Sequence, residues 1–576
     1  MFKKFNSIFE RKEKIKFLYL LILIVLGTIL EVLGIGLIIP IILIFIEGID
    51  GIIKLKFLIS YISYIKNFEK DNLITFSIIV LLIIYLAKYF ILTILYFYQQ
   101  NFLSNVLIRI SNSILKNYLS KPYSFFLTTN SSKLINNLIR QSETFITQGL
   151  EPILYILSET VILIGIILFL IFFEPFIVFF SLFSILLPSI IFYFLIKKKA
   201  KRWGFLQQKY NENVIKNLQQ TIDGIKEIKI FNRQNDFIKT FNYSYTQTTK
   251  IRRNMQFFNH LPRIWLELLA LMFICIYVFF LLKTKTGPEI VVILALFSIA
   301  IFRILPSLNR IILAAQNLRY GFAAVDTVYS ELKNCNESKK REYLLKKNFI
   351  SFEKISFVNV SFAYNEIEVL KNINLDIYRG QFIGIGGKTG AGKSTFINLL
   401  TGLLRPSAGK IIINNTIEFN ESVEQTQDWQ NRIGYAPQAY SLLDDSIEKN
   451  VTFEDDVLNI DFNWFRECLS IAEITDFVDQ LPEKSKSKIG ERGIRISGGQ
   501  KQRIIIARAL YKKPEILILD EATNALDELT ERKIINNILN LKKQITLISI
   551  SHKNKVLKNN GIIYEIKDNQ IINCEK

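Results

Sequence analysis

The sequence predicts a multidomain membrane protein: a six-helix α transmembrane domain followed by an α/β domain carrying a phosphate-binding loop. Three observations carry that prediction. Half of the 576 residues are hydrophobic, and the long Ile/Leu/Phe runs are concentrated in the first two-thirds of the chain, with Lys and Arg at their flanks. The last third reads as ordinary α/β sequence and holds Gly387-Lys388-Thr389-Gly390-Ala391-Gly392-Lys393-Ser394, directly after the strand-like Ile383-Gly384-Ile385-Gly386. A chain this long also exceeds what one hydrophobic core supports, so two or more domains are expected.

The first apolar run, Phe17 to Ile46, is longer than the ~20 residues a bilayer requires and has no small-residue cleavage site. It is therefore a retained span rather than a signal peptide. Further spans are expected over 73–98, 153–173, 175–196, 262–282 and 289–312, with Glu174-Pro175 making a tight hairpin of the third and fourth. Lys3, Lys4, Arg11, Lys12, Lys14 and Lys16 place the N-terminus in the cytoplasm. Six spans return the chain to that side, so the α/β domain is cytoplasmic too. The membrane domain is expected over 1–331, a charged linker with Lys339, Lys340 and Arg341 over 332–348, and the α/β domain over 349–576. Residues 48–70 read either as an amphipathic helix on the outer face or as a tilted connector. The long loops near 99–152 and 197–261 have a helical pattern, so helices are expected to continue into the cytoplasm.

Composition excludes several functions. The net charge of +20 comes from basic residues around the apolar spans and spread through the chain, which suits cytoplasmic loops and not a nucleic-acid face. Cys275, Cys335, Cys468 and Cys574 show no pairing or zinc spacing, and His260 and His552 are too few for a multi-histidine metal centre.

Ionisable groups inside spans cost about 2.5–3.5 kcal/mol each and need a reason. Lys88 lies in the second span, Arg303 and Arg310 lie seven residues apart on one face of the sixth, and Glu31, Glu159 and Glu267 are the acidic counterparts. Two readings stay open here: internal ion pairing, with Arg263 and Glu267 paired four residues apart, or a basic belt around a cavity for an anionic headgroup such as a diphosphate.

The phosphate loop brings converging backbone N–H groups, a point charge on Lys393 and a hydroxyl on Ser394 suited to Mg²⁺, while Ser394-Thr395-Phe396 start a helix facing phosphate. Ser497-Gly498-Gly499-Gln500 and the apolar strand Ile516-Leu517-Ile518-Leu519-Asp520-Glu521 follow in order. In this combination the last third resembles the ATPase domain of ABC transporters, and the whole chain resembles an ABC exporter half-transporter. The resemblance implies that ATP and Mg²⁺ are the cofactors, with Tyr364 stacking on adenine and Gly387 to Thr395 on the phosphates. Ser394, Gln438 and Asp520 would hold Mg²⁺, Glu521 would act as general base, and His552 and Gln438 would contact the γ-phosphate and the attacking water. It further implies that Ser497, Gly498, Gly499, Gln500 and Asp527 serve the site of a second copy, making a homodimer of about twelve spans. Asn524 stands where the family usually has serine and Ile496 where leucine is usual. Two segments, one with Pro122, Tyr123, Phe125 and Phe126 and one from Thr221 to Glu227, are candidates for short helices that touch the ATPase, and Glu491 for bracing them.

A narrower resemblance rests on Glu31-Val32-Leu33-Gly34-Ile35-Gly36-Leu37-Ile38-Ile39-Pro40, Pro262-Arg263-Ile264-Trp265-Leu266-Glu267 and Phe302-Arg303-Ile304-Leu305-Pro306-Ser307-Leu308-Asn309-Arg310. These are similar to bacterial lipid-linked oligosaccharide flippases of the ABC type (the PglK group). That similarity implies that Lys88, Arg303 and Arg310 handle the substrate's pyrophosphate, with lysine at 88 where the group can have arginine. It implies ATP-driven flipping of a polyisoprenyl-diphosphate glycan from the inner to the outer leaflet of the bacterial cytoplasmic membrane. A multidrug, lipid or peptide exporter is the alternative, and an ATP-gated channel or sensor a second one, against which intact Glu521 and His552 argue.

Overall fold

The computed structural model describes residues 2–47, 70–173, 175–284, 287–339, 352–414, 417–418, 423–454, 456–490, 493–541, 545–550 and 561–574. The expected external segment 48–70 (except Lys70), the linker beyond residue 339, Glu491 and His552 lie outside the described residues. The chain divides into two compact units, one of residues 1–121 and 128–339, the other of 122–127 and 340–576.

The first unit is helical. Six long helices cover the expected spans: α1 (Arg11–Glu47), α2 (Lys70–Leu119), α3 (Glu151–Phe173), α4 (Pro175–Asp223), α5 (Gln234–Thr284) and α6 (Gly287–Tyr320). Within the described residues, four stretches are long and apolar enough to cross a membrane. Their outward faces carry large apolar side chains, Phe90 at 69% exposed and Phe97 at 70% on α2 and Phe302 at 82% on α6. Lipid is the solvent that accepts such a surface. The long loops expected near 99–152 and 197–261 are in large part continuations of the spans: α2, α4 and α5 run 50, 49 and 51 residues, about 75 Å each at the helical rise. Pro188, Pro262 and Pro306 sit inside these helices.

The inward faces form apolar clusters, of which two are the largest among the described residues. Ile110 and Ile114 of α2 pack with Phe145, Leu150, Leu154, Val325 and Val328. Ile162 and Ile166 of α3 pack with Leu266, Ile304, Leu308 and Ile312 of α5 and α6. Gly204 of α4 lies against the Tyr320 carbonyl of α6 more closely than any side chain allows, so glycine sets how near those helices come. Between α2 and α3, two π-helical turns, Asn136–Gln141 and Ile146–Leu150, interrupt the regular pattern. After α6 a further helix, Phe322–Lys339, continues through 332–339, so the first eight residues of the expected linker are helical. Their sequence, Leu332-Lys333-Asn334-Cys335-Asn336-Glu337-Ser338-Lys339, has no Gly or Pro to stop the helix.

The second unit is a two-sheet α/β domain. One sheet is antiparallel in the order β2-β1-β4-β5, from β1 (Lys354–Tyr364), β2 (Ile367–Tyr378), β4 (Ala408–Ile413) and β5 (Ile417–Glu418). The other runs β10-β9-β3-β8-β7-β6, from β3 (Phe382–Gly387), β6 (Ile433–Ala436), β7 (Ile516–Asp520), β8 (Thr546–Ile550), β9 (Ile562–Lys567) and β10 (Gln570–Asn573). Its neighbours from β9 to β6 are parallel. The β7 and β8 strands are buried at every position, as runs of Ile and Leu covered on both faces must be. Helix α7 (Lys393–Leu400) lies in the core between the sheets through Phe396, Ile397, Leu399 and Leu400. Helix α8 (Gly498–Tyr511) anchors a second core with Ile504, Ile505, Ala509 and Leu510. Helix α9 (Glu528–Leu539) packs there through Ile534, Ile535 and Ile538.

The short helix Tyr123–Thr128, one of the two expected contact segments, groups with this second unit through residues 122–127 although its sequence lies between membrane helices. The other, Thr221 to Glu227, forms the end of α4, a turn at Gly224 and the start of a helix Ile225–Ile230.

Candidate nucleotide site and membrane cavity

Parallel strands deliver their C-terminal ends to one edge, where ligands of open α/β sheets bind. Register fixes the sequence-predicted residues there. Ile385 of β3 pairs with Ile550 of β8, Ile550 with Asp520 of β7, and Leu519 with Ala436 of β6. The phosphate loop leaves β3, Asp520-Glu521 ends β7, and Gln438 follows β6 by two residues. His552 follows β8 by two residues and is outside the described ones.

Gly387, Gly390 and Gly392 have φ of 143°, 83° and 102°. Gly392 is the N-cap of α7, and a Cβ there would meet Val369 and Leu370 at 3.1 Å, so both its angle and its space call for glycine. No side chain caps α7, which leaves its first N–H groups turned to the loop. Lys393 is buried, and its Nζ donates to the carbonyls of Gly387 at 2.7 Å and Lys388 at 3.3 Å. Lys388, Thr389, Gly390 and Ser394 are exposed, Ala391 is half-buried and Thr395 is buried.

Asp520 is 5% exposed, and its Oδ2 accepts from the Tyr435 hydroxyl at 3.1 Å. Burial holds its carboxyl above the usual range, with the Glu521 charge adding to the rise and Lys393 and the Tyr435 bond opposing it. Tyr435 is pushed well above its ordinary value, first by burial, then by Asp520, with a smaller push from Tyr123. Glu521 has φ of 50°, a left-handed backbone that a glutamate rarely adopts. Its Oε2 accepts from Gln438 Nε2 at 2.8 Å and Asn524 Nδ2 at 3.0 Å. Two amides from different strand ends therefore aim this carboxylate. Tyr364, at the end of β1, is 38% exposed and meets Phe362 edge-on at 4.9 Å, which leaves a ring face open.

Ser497 caps α8 in a reciprocal box: Gln500 N donates to Ser497 Oγ at 3.3 Å, and Ser497 N donates to Gln500 Oε1 at 2.8 Å. Gly498 and Gly499 lie against Ala525. Asp527 caps α9, accepting from Thr530 N at 2.9 Å, and that N–H holds its carboxyl below the usual range. Among the described residues no hydrogen bond joins Ser497–Gln500 to the loop of the same chain.

Sequence reasoning missed Arg508. This half-buried guanidinium on α8 donates to Asn450 O at 2.6 Å, Asn450 Oδ1 at 3.0 Å and Ser441 O at 2.9 Å, and lies 4.3 Å from the Phe453 ring centroid. Asn450 in turn ties Leu443 and Ser446. The segment just after Gln438 is thereby fastened to the helix that begins at Ser497. Burial lowers Arg508 to about 10. Tyr435 carried no motif either, although it stands three residues before Gln438.

In the first unit the intramembrane charges come together as one triad and two pairs among the described residues. Glu31, 4% exposed, accepts from Arg303 Nη2 at 3.1 Å and forms an ion pair with Lys88 Nζ at 3.1 Å, joining α1, α2 and α6. Arg310 Nη1 meets Glu159 of α3 at 2.6 Å, and Glu159 is likewise 4% exposed. Arg263 and Glu267 pair at 2.8 Å on an exposed face of α5. Arg303 and Arg310 line one cavity of about 690 Å³ together with Glu31, Glu151 and Glu159; Lys88, 8% exposed, is not in its wall. Two cations and three carboxylates in that wall make it charge-balanced to slightly acidic, and apolar Ile24, Leu92, Leu95 and Ile162 complete it.

A phosphate-loop α/β ATPase joined to a domain of long membrane helices defines an ATP-driven membrane transporter. The family description "ABC transporter" matches residues 370–524, and "ABC transporter transmembrane region" matches residues 17–305. A Rickettsia typhi protein named as an export ATP-binding/permease protein is 30% identical over 532 residues, covering 88% of each chain. An "ATP-dependent lipid A-core flippase" of Wigglesworthia glossinidia brevipalpis is 27% identical over 478 residues, covering 81% of this chain and 80% of that one. The solved structure of a bacterial Atm1-family ABC exporter with ATP bound shares the fold at a TM-score of 0.79 and 17% identity, covering 97% of this chain and 94% of that one. The chain belongs to the ABC transporter family. It is an ABC exporter half-transporter, an integral membrane protein whose ATPase domain binds ATP and couples its hydrolysis to transport.

Proposed function

We propose that two copies of this chain flip a lipid-linked oligosaccharide, a polyisoprenyl-diphosphate glycan, from the inner to the outer leaflet of a bacterial cytoplasmic membrane. The N-terminus and ATPase domain face the cytoplasm. The observation that carries the substrate reading is the cavity at the level of the spans, where Arg310 and Arg303 stand beside an apolar wall. Arg310 is 45% exposed at its side chain and Arg303 24%. A diphosphate would exchange with the Glu159 and Glu31 carboxylates on these arginines, a replacement of one oxyanion by another. Lys88 acts through Glu31 as a counter-charge. Relatives named as lipid A-core flippases support a lipid substrate more generally, which is the second reading.

At the ATPase, a hard oxygen set fits Mg²⁺: the Asp520 carboxylate, the Ser394 hydroxyl and the Gln438 amide oxygen. Burial of Asp520 makes its charge costly alone and favourable beside a cation. When bound, Mg²⁺ supplies neutralisation of phosphate charge. Lys393 turns from its own loop carbonyls to the phosphates, Tyr364 stacks on adenine, and Glu521 takes the proton of the attacking water while Gln438 and His552 hold that water and the γ-phosphate. Ser497–Gln500 and Asp527 complete the site of the partner copy, in keeping with the lack, among the described residues, of a hydrogen bond from Ser497–Gln500 to their own loop.

Substrate-stimulated ATP hydrolysis in proteoliposomes tests the reading. A polyisoprenyl-diphosphate glycan should raise turnover, and Arg310→Ala and Arg303→Ala should weaken that stimulation about ten-fold or more while basal hydrolysis changes little. Stimulation that survives both replacements contradicts the headgroup role.

A further inference from the structure

A second cavity, of about 780 Å³, lies in the same unit. It shares Thr147, Gln148 and Asn317 with the arginine-bearing one, so the two chambers are continuous neighbours. Its wall comes from 139–148, 204–211, 252–259 and 317–324, the cytoplasmic continuations of the spans. The chemistry of the two is different. Eight of the nineteen residues around the second cavity are Gln or Asn, against three charged ones, Arg140, Glu143 and Arg252, so neutral amides are the main polar groups of its wall.

Three of those amides present acceptors that the protein leaves open. Gln148 Oε1, Gln207 Oε1 and Asn259 Oδ1 are buried and have no hydrogen-bond partner. Gln207 as a whole is only 8% exposed. A buried open carbonyl oxygen costs about 1–3 kcal/mol unless a donor reaches it. A phosphate has no donor to give and an alkyl chain none at all. A group with many hydroxyls meets amides on both terms, giving protons to their oxygens and taking them from their N–H₂. The π turns supply Gln141, Thr147 and Gln148, and such turns recur at functional sites. The volume is within the range of small-ligand sites.

We infer that this amide-lined chamber holds the sugar chain of the substrate while its charged link rests at Arg310 and Arg303 next door. The inference rests on the lipid-linked glycan reading proposed above and adds where the glycan is recognised. Neutral amides pair with hydroxyls without reading one sugar tightly, so the chamber selects for a glycan and only weakly among glycans.

The test uses full-length protein in proteoliposomes and two probes on one anchor: a polyisoprenyl diphosphate bearing a short N-acetylhexosamine chain, and the same lipid without sugar. Gln207→Leu and Asn259→Leu keep side-chain bulk and remove the open acceptors. Each should raise the concentration of the glycosylated probe needed for half-stimulation about ten-fold, and leave that of the bare probe in place, which also reports that the variants fold. Equal shifts for both probes, or none, overturn the chamber's role. A wild-type protein that answers to neither probe overturns the proposed substrate instead. The chamber is then judged by saturation-transfer NMR of free tetra-N-acetylchitotetraose with the protein in nanodiscs, a measurement that in the wild type needs no variant. Transfer that is lost in the leucine variants supports it, and a wild type that shows none refutes it.

Discussion

Glu521 is held in a left-handed backbone by a strand end and aimed by Gln438 and Asn524. Backbone strain at that point makes sense if the carboxylate must stand where water attacks phosphate. Glu521→Gln keeps both shape and packing, so nucleotide binding should persist while the turnover rate falls by about 10²–10⁴; a binding assay beside a hydrolysis assay separates the two. Tyr435 gives a different kind of prediction. Its hydroxyl stabilises the ionised Asp520. Because burial raises the folded pKa of Asp520, the buried group is best tolerated below about 3.9, its unfolded value, and stability is lost as pH rises through the raised folded one. Tyr435→Phe removes a donor to the charged form and extends that loss. The melting temperature of the variant should thus fall further behind wild type at neutral pH than in acid, in thermal scans across pH. Legibility at this scale was uneven. The loop, Asp520 and Glu521 could be read because phosphate chemistry demands those residue types at a set spacing. Tyr435 and Arg508 could not, because their partners lie 85 and 58–67 residues away and only the folded sheet brings them together.

Among the elements, helices announce themselves well and their partners poorly. Apolar length predicted six spans, each of which a long helix covers, and among the described residues four stretches are long and apolar enough to cross a membrane; the helical pattern of the long loops predicted that those helices run on past the spans. The π turns at Asn136–Gln141 and Ile146–Leu150 have no such signature in composition or apolar periodicity. The same holds for the intramembrane charges. The cost of a lone charge in lipid said that Lys88, Arg303 and Arg310 needed a reason, but only the assembled helices show Glu31 taking two of them. Glu31→Gln would strand both cations on one neutral amide. Losing a buried partner costs about 3–5 kcal/mol, so the purified variant should melt well below wild type, and adding Lys88→Met should restore part of the loss. A Glu31→Gln protein as stable as wild type contradicts the tie between α1, α2 and α6.

At the scale of the whole molecule, one chain holds a full set of ATPase motifs, whose Ser497–Gln500 element makes no hydrogen bond to its own phosphate loop among the described residues, and a membrane domain with an ionic chamber beside an amide one. Motif order made the ATPase legible at once. The two chambers were not, because cavities belong to the arrangement of helices and leave no contiguous trace in sequence. Both parts meet in a single measurement: the movement of a fluorescent polyisoprenyl-diphosphate glycan between leaflets of proteoliposomes containing wild-type protein or Glu521→Gln. The account predicts net movement away from the ATPase-bearing leaflet that requires both ATP and Mg²⁺ and stops in the variant. Movement that is equal with and without ATP, or ATP consumption by wild type that moves none of the lipid, contradicts it.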